Sequence, residues 1–239
     1  MKLELYEQAL EPLRTSIKIH GSYEKSRGNL INALLKLDRN EEVITELRGV
    51  VASFPTKIFY RHQLVGLLLR DGRFSDALGD LEELVKLEPN RADNYMALGA
   101  AYSSTGQNSK ALDAFLQATA LEPGNLNFLK SLAFAHLNEG KTNEAITTFQ
   151  QLLVKNPRDF DAVLSISTLY RQLGHLDEAL NFGREALSIR PDSAAAMMVV
   201  AMAYISKGDK ESARQYLPRL KELNPENAKI LEKALAEED

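Results

Sequence analysis

The residue types that most often perform chemistry in proteins are sparse and scattered in this chain. No two of the four histidines lie three or four residues apart, the spacing that would bring two imidazoles to a metal ion on one helix face. Cysteine is absent, which excludes disulfides, thiolate nucleophiles and cysteine-based zinc sites. The sequence contains no glycine-rich phosphate loop, G-x-S-x-G elbow or H-E-x-x-H motif. It therefore predicts a protein that is not an enzyme and that has no cofactor and no metal site.

Composition narrows the class of partner. The 239 residues are 44% hydrophobic and 26% charged, which is ordinary for a soluble protein with a core. The 29 basic and 33 acidic residues are interspersed and give a net charge of −4. Because no block of basic residues stands out, we do not expect the protein to bind nucleic acid.

Membrane insertion is not expected either. The first 13 residues carry glutamates where a signal peptide needs an unbroken apolar segment. The most apolar stretch, residues 194–205, is shorter than the roughly 18 residues of a membrane span and is rich in alanine. These features favour the cytoplasm, or the periplasm if a leader has been removed.

An internal repeat of 34 residues determines which helices would position a site. Prolines recur at that interval: Pro55, Pro89, Pro123, Pro157, Pro191 and Pro225. Seventeen residues after each of the first five comes a glycine: Gly72, Gly106, Gly140, Gly174 and Gly208. Asp38 is the exception at the equivalent earlier place, and a third column holds Val43 followed by five alanines. A period of this length is typical of stacked supersecondary units.

Each interval predicts two amphipathic helices. In residues 92–123 one apolar stripe consists of Tyr95, Leu98 and Tyr102, and a second of Ala111, Phe115 and Ala118. Gly106 between the stripes suits the left-handed residue that ends a helix. The proline then ends the second helix, and a polar residue such as Asn90, Asn125 or Asp159 can cap the next one.

This pattern resembles the tetratricopeptide repeat, whose signature is W-x₂-L-G-x₂-Y, then A-x₃-F, then P. Residues 92–125 match it almost completely, with Tyr95, Leu98, Gly99, Tyr102, Ala111, Phe115 and Pro123. The first two intervals depart from it, because Arg27 and Arg61 occupy the place of the large aromatic residue. Gly183 also replaces the phenylalanine of its interval. The resemblance implies an all-α, right-handed superhelical α-solenoid.

The repeat divides the chain into parts that we expect to act as one array. The six repeats are 24–57, 58–91, 92–125, 126–159, 160–193 and 194–227. Residues 1–23 continue the phase backwards and predict a half repeat, with Pro12 causing a kink or a late helix start. Residues 228–239 predict a capping helix whose apolar stripe is Ile230, Leu231, Ala234 and Leu235.

The resemblance also implies the function. In this family the first helix of each repeat lines a concave groove that binds peptides or partner helices. The corresponding candidates here are Asn29, Asn32, Lys36, His62, Gln63, Arg70, Met96, Lys130, Phe134, Leu164, Arg171, Met198 and Met202. Asp93 and Ala97 stand where a chaperone-binding carboxylate clamp needs basic residues, and a repeated asparagine ladder is absent. We therefore expect a non-catalytic protein-interaction module with a protein or peptide partner.

Several alternatives remain open at the level of sequence. Met198 and Met202 belong either to the core, under the C-terminal helix, or to an adaptable binding surface. His136 lies in a column of core aromatic residues, which favours a packed histidine over a ligand. The chain can also be a scaffold that forms homo-oligomers through its N-terminal half repeat, or the regulatory part of a longer enzyme.

Overall fold

The computed structural model describes residues 2–20 and 24–236, and every regular element in these ranges is an α-helix. The first helices of the six repeats are α2 (Glu24–Lys36), α4 (Ile58–Arg70), α6 (Ala92–Ser104), α8 (Leu126–Asn138), α10 (Phe160–Gln172) and α12 (Ala194–Ser206). They alternate with α3 (Asn40–Ser53), α5 (Phe74–Leu87), α7 (Asn108–Leu121), α9 (Thr142–Lys155) and α11 (Leu176–Ile189). The predicted all-α fold of repeated helix pairs is confirmed.

The second helix of the sixth repeat is divided in two. It forms α13 (Lys210–Arg214) and α14 (Leu217–Leu223), with Pro218 in the first turn of α14. Proline has no N–H and its ring blocks the preceding turn, so a continuous helix through this point is disfavoured. Pro218 lies outside the proline series, and its effect on the sixth pair was not predicted.

Two helices flank the pairs. α1 (Lys2–His20) contains Pro12 but starts ten residues before it, so of the two predicted effects of Pro12, a kink or a late start, the late start is wrong. At the other end, α15 (Pro225–Ala236) buries Leu231 and Leu235, whereas Ile230 is exposed, so the predicted apolar stripe is only partly inward. The remaining residues of the two predicted caps, 1, 21–23 and 237–239, lie outside the described residues.

Left-handed residues end the first helices where the glycine column predicted them. Gly72, Gly106, Gly140, Gly174 and Gly208 all have φ between 71° and 78°. Asp38, the exception in that column, adopts φ 57° although it carries a Cβ. All six turns therefore contain a left-handed residue, and at Asp38 this conformation is sterically unfavourable because the residue has a Cβ.

The chain divides into two compact units, Met1–Glu122 and Pro123–Asp239, which are described separately below as unit 1 and unit 2. In each unit the helices pack mainly against helices next to them in the chain. Unit 2 has a core around Phe149 and Ile166, and a second one in which Leu231 of α15 packs with Met197 and Ala201 of α12. In the described part of the chain no helix has both the length and the hydropathy to cross a bilayer.

Candidate functional site

The predicted site residues lie on the first helices, and the structure divides them between the units. Seven belong to unit 1: Asn29, Asn32, Lys36, His62, Gln63, Arg70 and Met96. Six belong to unit 2: Lys130, Phe134, Leu164, Arg171, Met198 and Met202. Counting the first residue of each repeat as position one, they fall at positions five, six, nine, twelve and thirteen. The two sets are therefore two candidate faces.

The candidate face of unit 1 is polar. Asn29, Asn32 and Lys36 are exposed along one side of α2, and their side chains have no hydrogen-bond or ion-pair partner among the described residues. Gln63 and Arg70 of α4 line a small cavity of about 220 Å³, in which the Gln63 Oε1 is buried without a donor. Asn29, Asn32 and Lys36 are therefore available to an external ligand, whereas the Gln63 Oε1 is not.

His62 is already engaged within unit 1. Its Nε2 lies 2.6 Å from a Glu88 carboxylate oxygen and 3.0 Å from the Arg91 guanidinium, and Asn94 donates to the same carboxylate oxygen at 3.0 Å. Burial raises the pKa of Glu88, but the hydrogen bonds from Asn94 and His62 and the nearby charges outweigh it and bring this pKa below its ordinary value. His62 therefore joins the start of α6 to α4 and is less available to a ligand than its neighbours.

The arginines that replace the large aromatic residue at position four have partners nineteen residues later. Arg27 pairs with Glu46 at 3.3 Å, and Arg61, only 8% exposed, pairs with Asp80. The next repeat has Tyr95 and Ala114 at the same two positions. In each of the first two repeats an ion pair thus stands where the third repeat has one large and one small side chain. The spacing of nineteen residues between the two charges is visible in the sequence, but the ion pairs were not recognised from it.

Sequence reasoning also missed an exposed aromatic residue. Phe59 lies at position two of α4, is 64% exposed, and contacts Tyr60 edge to face with ring centroids 5.4 Å apart. Phe59 lies on a first helix, the element that the resemblance predicts to line the groove, so the repeat register could have identified it. It gives the polar face of unit 1 one large apolar group.

The candidate face of unit 2, which we call the first-helix face, consists of positions five, nine and twelve of three helices. Its residues are Lys130, Phe134 and Leu137 on α8, Leu164, Thr168 and Arg171 on α10, and Met198, Met202 and Ile205 on α12. A cavity of about 460 Å³ opens here between Leu137, Leu164 and Thr168. The face is apolar apart from its two cations and one threonine.

The apolar side chains on this face differ in how closely they pack against the buried core. Phe134 is 45% exposed, with its ring edge to face on the buried Phe149, centroids 5.5 Å apart. Met198 packs against the cluster that contains Leu231 of α15, whereas Met202 is half-buried outside that cluster. Both methionines are half-buried, and they differ in that Met198 contacts the cluster under α15.

The two cations of the first-helix face have opposite surroundings. Lys130 lies 3.5 Å from Asp159 and 3.2 Å from Asp161, so its charge is compensated. Asp159 also accepts a hydrogen bond from the Ala162 amide and thereby caps α10. Arg171 is half-buried and has no such partner within the described residues, and its Nε is shielded from solvent without an acceptor.

His136 behaves as a packed residue. It occupies position eleven, where Tyr102, Tyr170 and Tyr204 form hydrogen bonds with side chains twenty residues earlier in the chain. The residue twenty before His136 is Leu116, which has no hydrogen-bonding group, and the His136 Nδ1 is buried without a partner. Burial lowers the pKa of His136, so the imidazole is neutral at pH 7.

The described residues do not form a metal site. No group of three or more histidine, aspartate or glutamate side chains in that part of the chain is placed to hold a metal ion. Glu82, one of the paired glutamates in α5, accepts a hydrogen bond from the Tyr102 hydroxyl at 2.7 Å.

Comparison with protein-family models supports the repeat assignment. Two models described as tetratricopeptide repeat match residues 131–194 and 170–238. A third, described as bacterial transcriptional activator domain, matches residues 56–121. No curated protein sequence matches the chain.

Solved structures share the fold. A structure of YrrB, described as a TPR protein with an unusual peptide-binding site, is 20% identical, covers 78% of this chain and 97% of its own, and has a TM-score of 0.67. A crystal structure of MamA protein is 22% identical, with coverage of 72% and 94% and a TM-score of 0.66. MamA from Desulfovibrio magneticus RS-1 is 18% identical, with coverage of 71% and 96% and a TM-score of 0.66.

Proposed function

The chain is a tetratricopeptide-repeat protein, and on that premise we propose that it is a non-catalytic interaction module that binds a partner peptide on its first helices. The observation that carries this proposal is the first-helix face of unit 2. Phe134 of the fourth repeat is exposed there and Met202 of the sixth repeat is half-buried, although each helix has a separate buried stripe. Apolar side chains grouped on one side of rigid helices are typical of binding grooves.

The likeness to YrrB is consistent with this proposal. A peptide-binding site is described for that protein, and its fold covers 78% of this chain. At 20% identity the likeness extends to the fold only, so the binding residues proposed here come from the exposure of this chain's own side chains.

A charge reversal on the apolar surface tests the proposal. Random peptides displayed on phage are selected on the immobilised full chain, and the affinities of the enriched peptides are measured by fluorescence anisotropy. We expect Met202→Glu to weaken binding at least tenfold, because an unpaired carboxylate on an apolar contact must be desolvated. Met198 is left unchanged, since its packing against the core would confound the result with unfolding.

Val154 provides the matched control. It is 80% exposed on the second helix α9, away from the first-helix face, so Val154→Glu introduces the same charge at another apolar surface position. Both variants should retain the far-ultraviolet circular dichroism of the unmodified chain. No enrichment of peptides, or equal affinities for the two variants, would contradict the proposal.

A second function, self-assembly, is favoured by one observation. On α1, the helix before the first repeat, Leu5 is 64% and Ile19 is 68% exposed. Exposed leucine and isoleucine on a terminal helix can pack against a second copy. Light scattering over a concentration series of the chain and of Leu5→Glu/Ile19→Glu tests this: a mass that is constant and equal to the monomer for both excludes it.

A further inference from the structure

Arg171 is unusual among the arginines of the described chain. The others, apart from Arg158, reach a carboxylate, a tyrosine hydroxyl or an aromatic ring. Arg158 is exposed in a turn, where water solvates its charge. Arg171 is half-buried on α10 and its Nε faces no acceptor. A guanidinium in this position has lost part of its hydration without gaining a partner.

Within the part of the chain that the structure describes, no carboxylate pairs with Arg171. At position twelve of the neighbouring first helices stand Leu137 and Ile205, both apolar. Asp159 and Asp161 reach this face, and both contact Lys130. A guanidinium that is partly buried beside apolar side chains attracts an external carboxylate more strongly than a fully hydrated one does. Because the Arg171 Nε is itself shielded, its Nη groups are the donors open to a negatively charged ligand.

The apolar residues of the first-helix face indicate which groups should lie next to the negative charge of the ligand. Leu164 lies seven residues before Arg171 on the same helix, which corresponds to about 10 Å along the axis. Phe134 and Met202 lie on either side of this line, on α8 and α12. A ligand that uses both features needs a carboxylate about 10 Å from a large apolar side chain.

We propose that the first-helix face of unit 2 binds a peptide segment in which an aspartate or glutamate is flanked by large apolar residues. The Arg171 guanidinium binds the carboxylate in its planar fork, and Phe134, Leu164 and Met202 contact the apolar side chains. This proposal rests on the proposed function, and it adds the chemical class of the partner.

The test compares peptides selected on the full chain and on Arg171→Gln. Phage-displayed random 12-residue peptides are enriched on each, and Arg158→Gln, which removes the other unpartnered arginine, is the matched control. We expect peptides from the unmodified chain and from Arg158→Gln to carry an acidic residue between apolar ones. That preference should disappear on Arg171→Gln, and Arg171→Lys should show an intermediate affinity because lysine keeps the charge but lacks the fork.

A double-mutant cycle assigns the contact. For an enriched peptide, acid→amide substitution should weaken binding to the unmodified chain about tenfold, and have little effect on Arg171→Gln. Enriched peptides without an acidic preference, or the same loss with both proteins, would overturn the carboxylate proposal while peptide binding itself stands. If no peptide is enriched on the unmodified chain, both proposals are wrong. Circular dichroism confirms that Arg171→Gln is folded.

Discussion

Ion pairs inside a helix pair are a residue-scale departure from the repeat pattern. The pairs Arg27–Glu46 and Arg61–Asp80 occupy positions four and twenty-three, where the later repeats have uncharged residues. A buried pair contributes little net stability over a well-packed apolar pair, but the loss of one partner leaves an uncompensated charge. The two arginines are therefore tied to their acidic partners, and they are not evidence of looser packing.

The ion pair Arg61–Asp80 can be replaced by the two uncharged residues that the next repeat has at the same positions. We expect Asp80→Ala alone to reduce the free energy of unfolding by about 3 kcal/mol, because the Arg61 charge remains buried without a partner. The double variant Arg61→Tyr/Asp80→Ala, which copies Tyr95 and Ala114, should recover most of that loss. Urea denaturation measures both, and additive losses in the double variant would show that the two residues are not coupled.

Tyr102 gives a residue-scale prediction in alkaline solution. Burial, together with the hydrogen bond to Glu82 and the charge of that carboxylate, raises the pKa of Tyr102 to about 12. The pKa of an unfolded tyrosine is about 10, so the folded state holds this proton more tightly. Its contribution to stability is complete below pH 10 and is lost as the pH rises towards 12.

Phenolate absorbance measures this titration, with Tyr102→Phe to identify the Tyr102 signal among the eight tyrosines. Glu82→Gln removes the negative charge and should lower the pKa of Tyr102 only in part, since burial, the largest cause, remains. A Tyr102 that titrates with the exposed tyrosines would contradict the burial seen in the structure.

At the scale of the element, the turns between paired helices are the most regular part of the chain. Five of the six use a glycine with positive φ, and Asp38 adopts the same left-handed conformation. For a residue with a Cβ this conformation costs about 1 kcal/mol or more. A weak contact with the Asn40 amide, at 3.4 Å, is the side-chain hydrogen bond found for Asp38 in the described residues.

Asp38→Gly should therefore stabilise the turn between α2 and α3. We expect the free energy of unfolding to rise by about 0.5 to 1 kcal/mol, because the steric strain removed exceeds the added flexibility of the unfolded chain. Asp71→Gly is the control: Asp71 precedes Gly72 in the next turn and has φ −85°, so glycine brings no relief there. Thermal unfolding of the three proteins distinguishes the cases, and equal effects of the two substitutions would be inconsistent with strain at Asp38.

The elements also show what could be predicted from sequence. Periodic prolines and glycines predicted the helix pairs because each has a direct backbone effect, one ending a helix and the other allowing positive φ. The division of the sixth pair at Pro218 depends on a proline outside the period. The different contacts of Met198 and Met202 depend on which side of α12 meets α15, a tertiary contact that helical spacing does not specify. Compensation of Lys130 by two aspartates is likewise a contact between elements.

On the scale of the whole molecule, the division at Glu122 and Pro123 separates two sets of helix pairs, each with its own buried residues. In unit 2 the cores run from Leu129 on α8 to Leu235 on α15, and all their members come from that unit. Repeat proteins gain stability from contacts between neighbouring repeats, so a set of adjacent repeats with a closed core can fold without the rest. The proposed peptide-binding face lies wholly within this unit.

We therefore expect the fragment of residues 123–239 to fold by itself and to bind the same phage-selected peptides as the full chain, with affinities within about threefold.

A fragment of residues 142–239 is the control. It lacks α8 and so exposes Ile146 and Phe149, which pack with Leu129 and Ala133 in the complete unit. Because that loss opens the core around Phe149, the shorter fragment should unfold at a lower urea concentration and lose peptide binding together with Phe134. Circular dichroism and anisotropy measure both properties. If the longer fragment is unfolded, unit 2 depends on contacts outside its own core, whereas a folded fragment that binds no peptide would place the binding surface in unit 1.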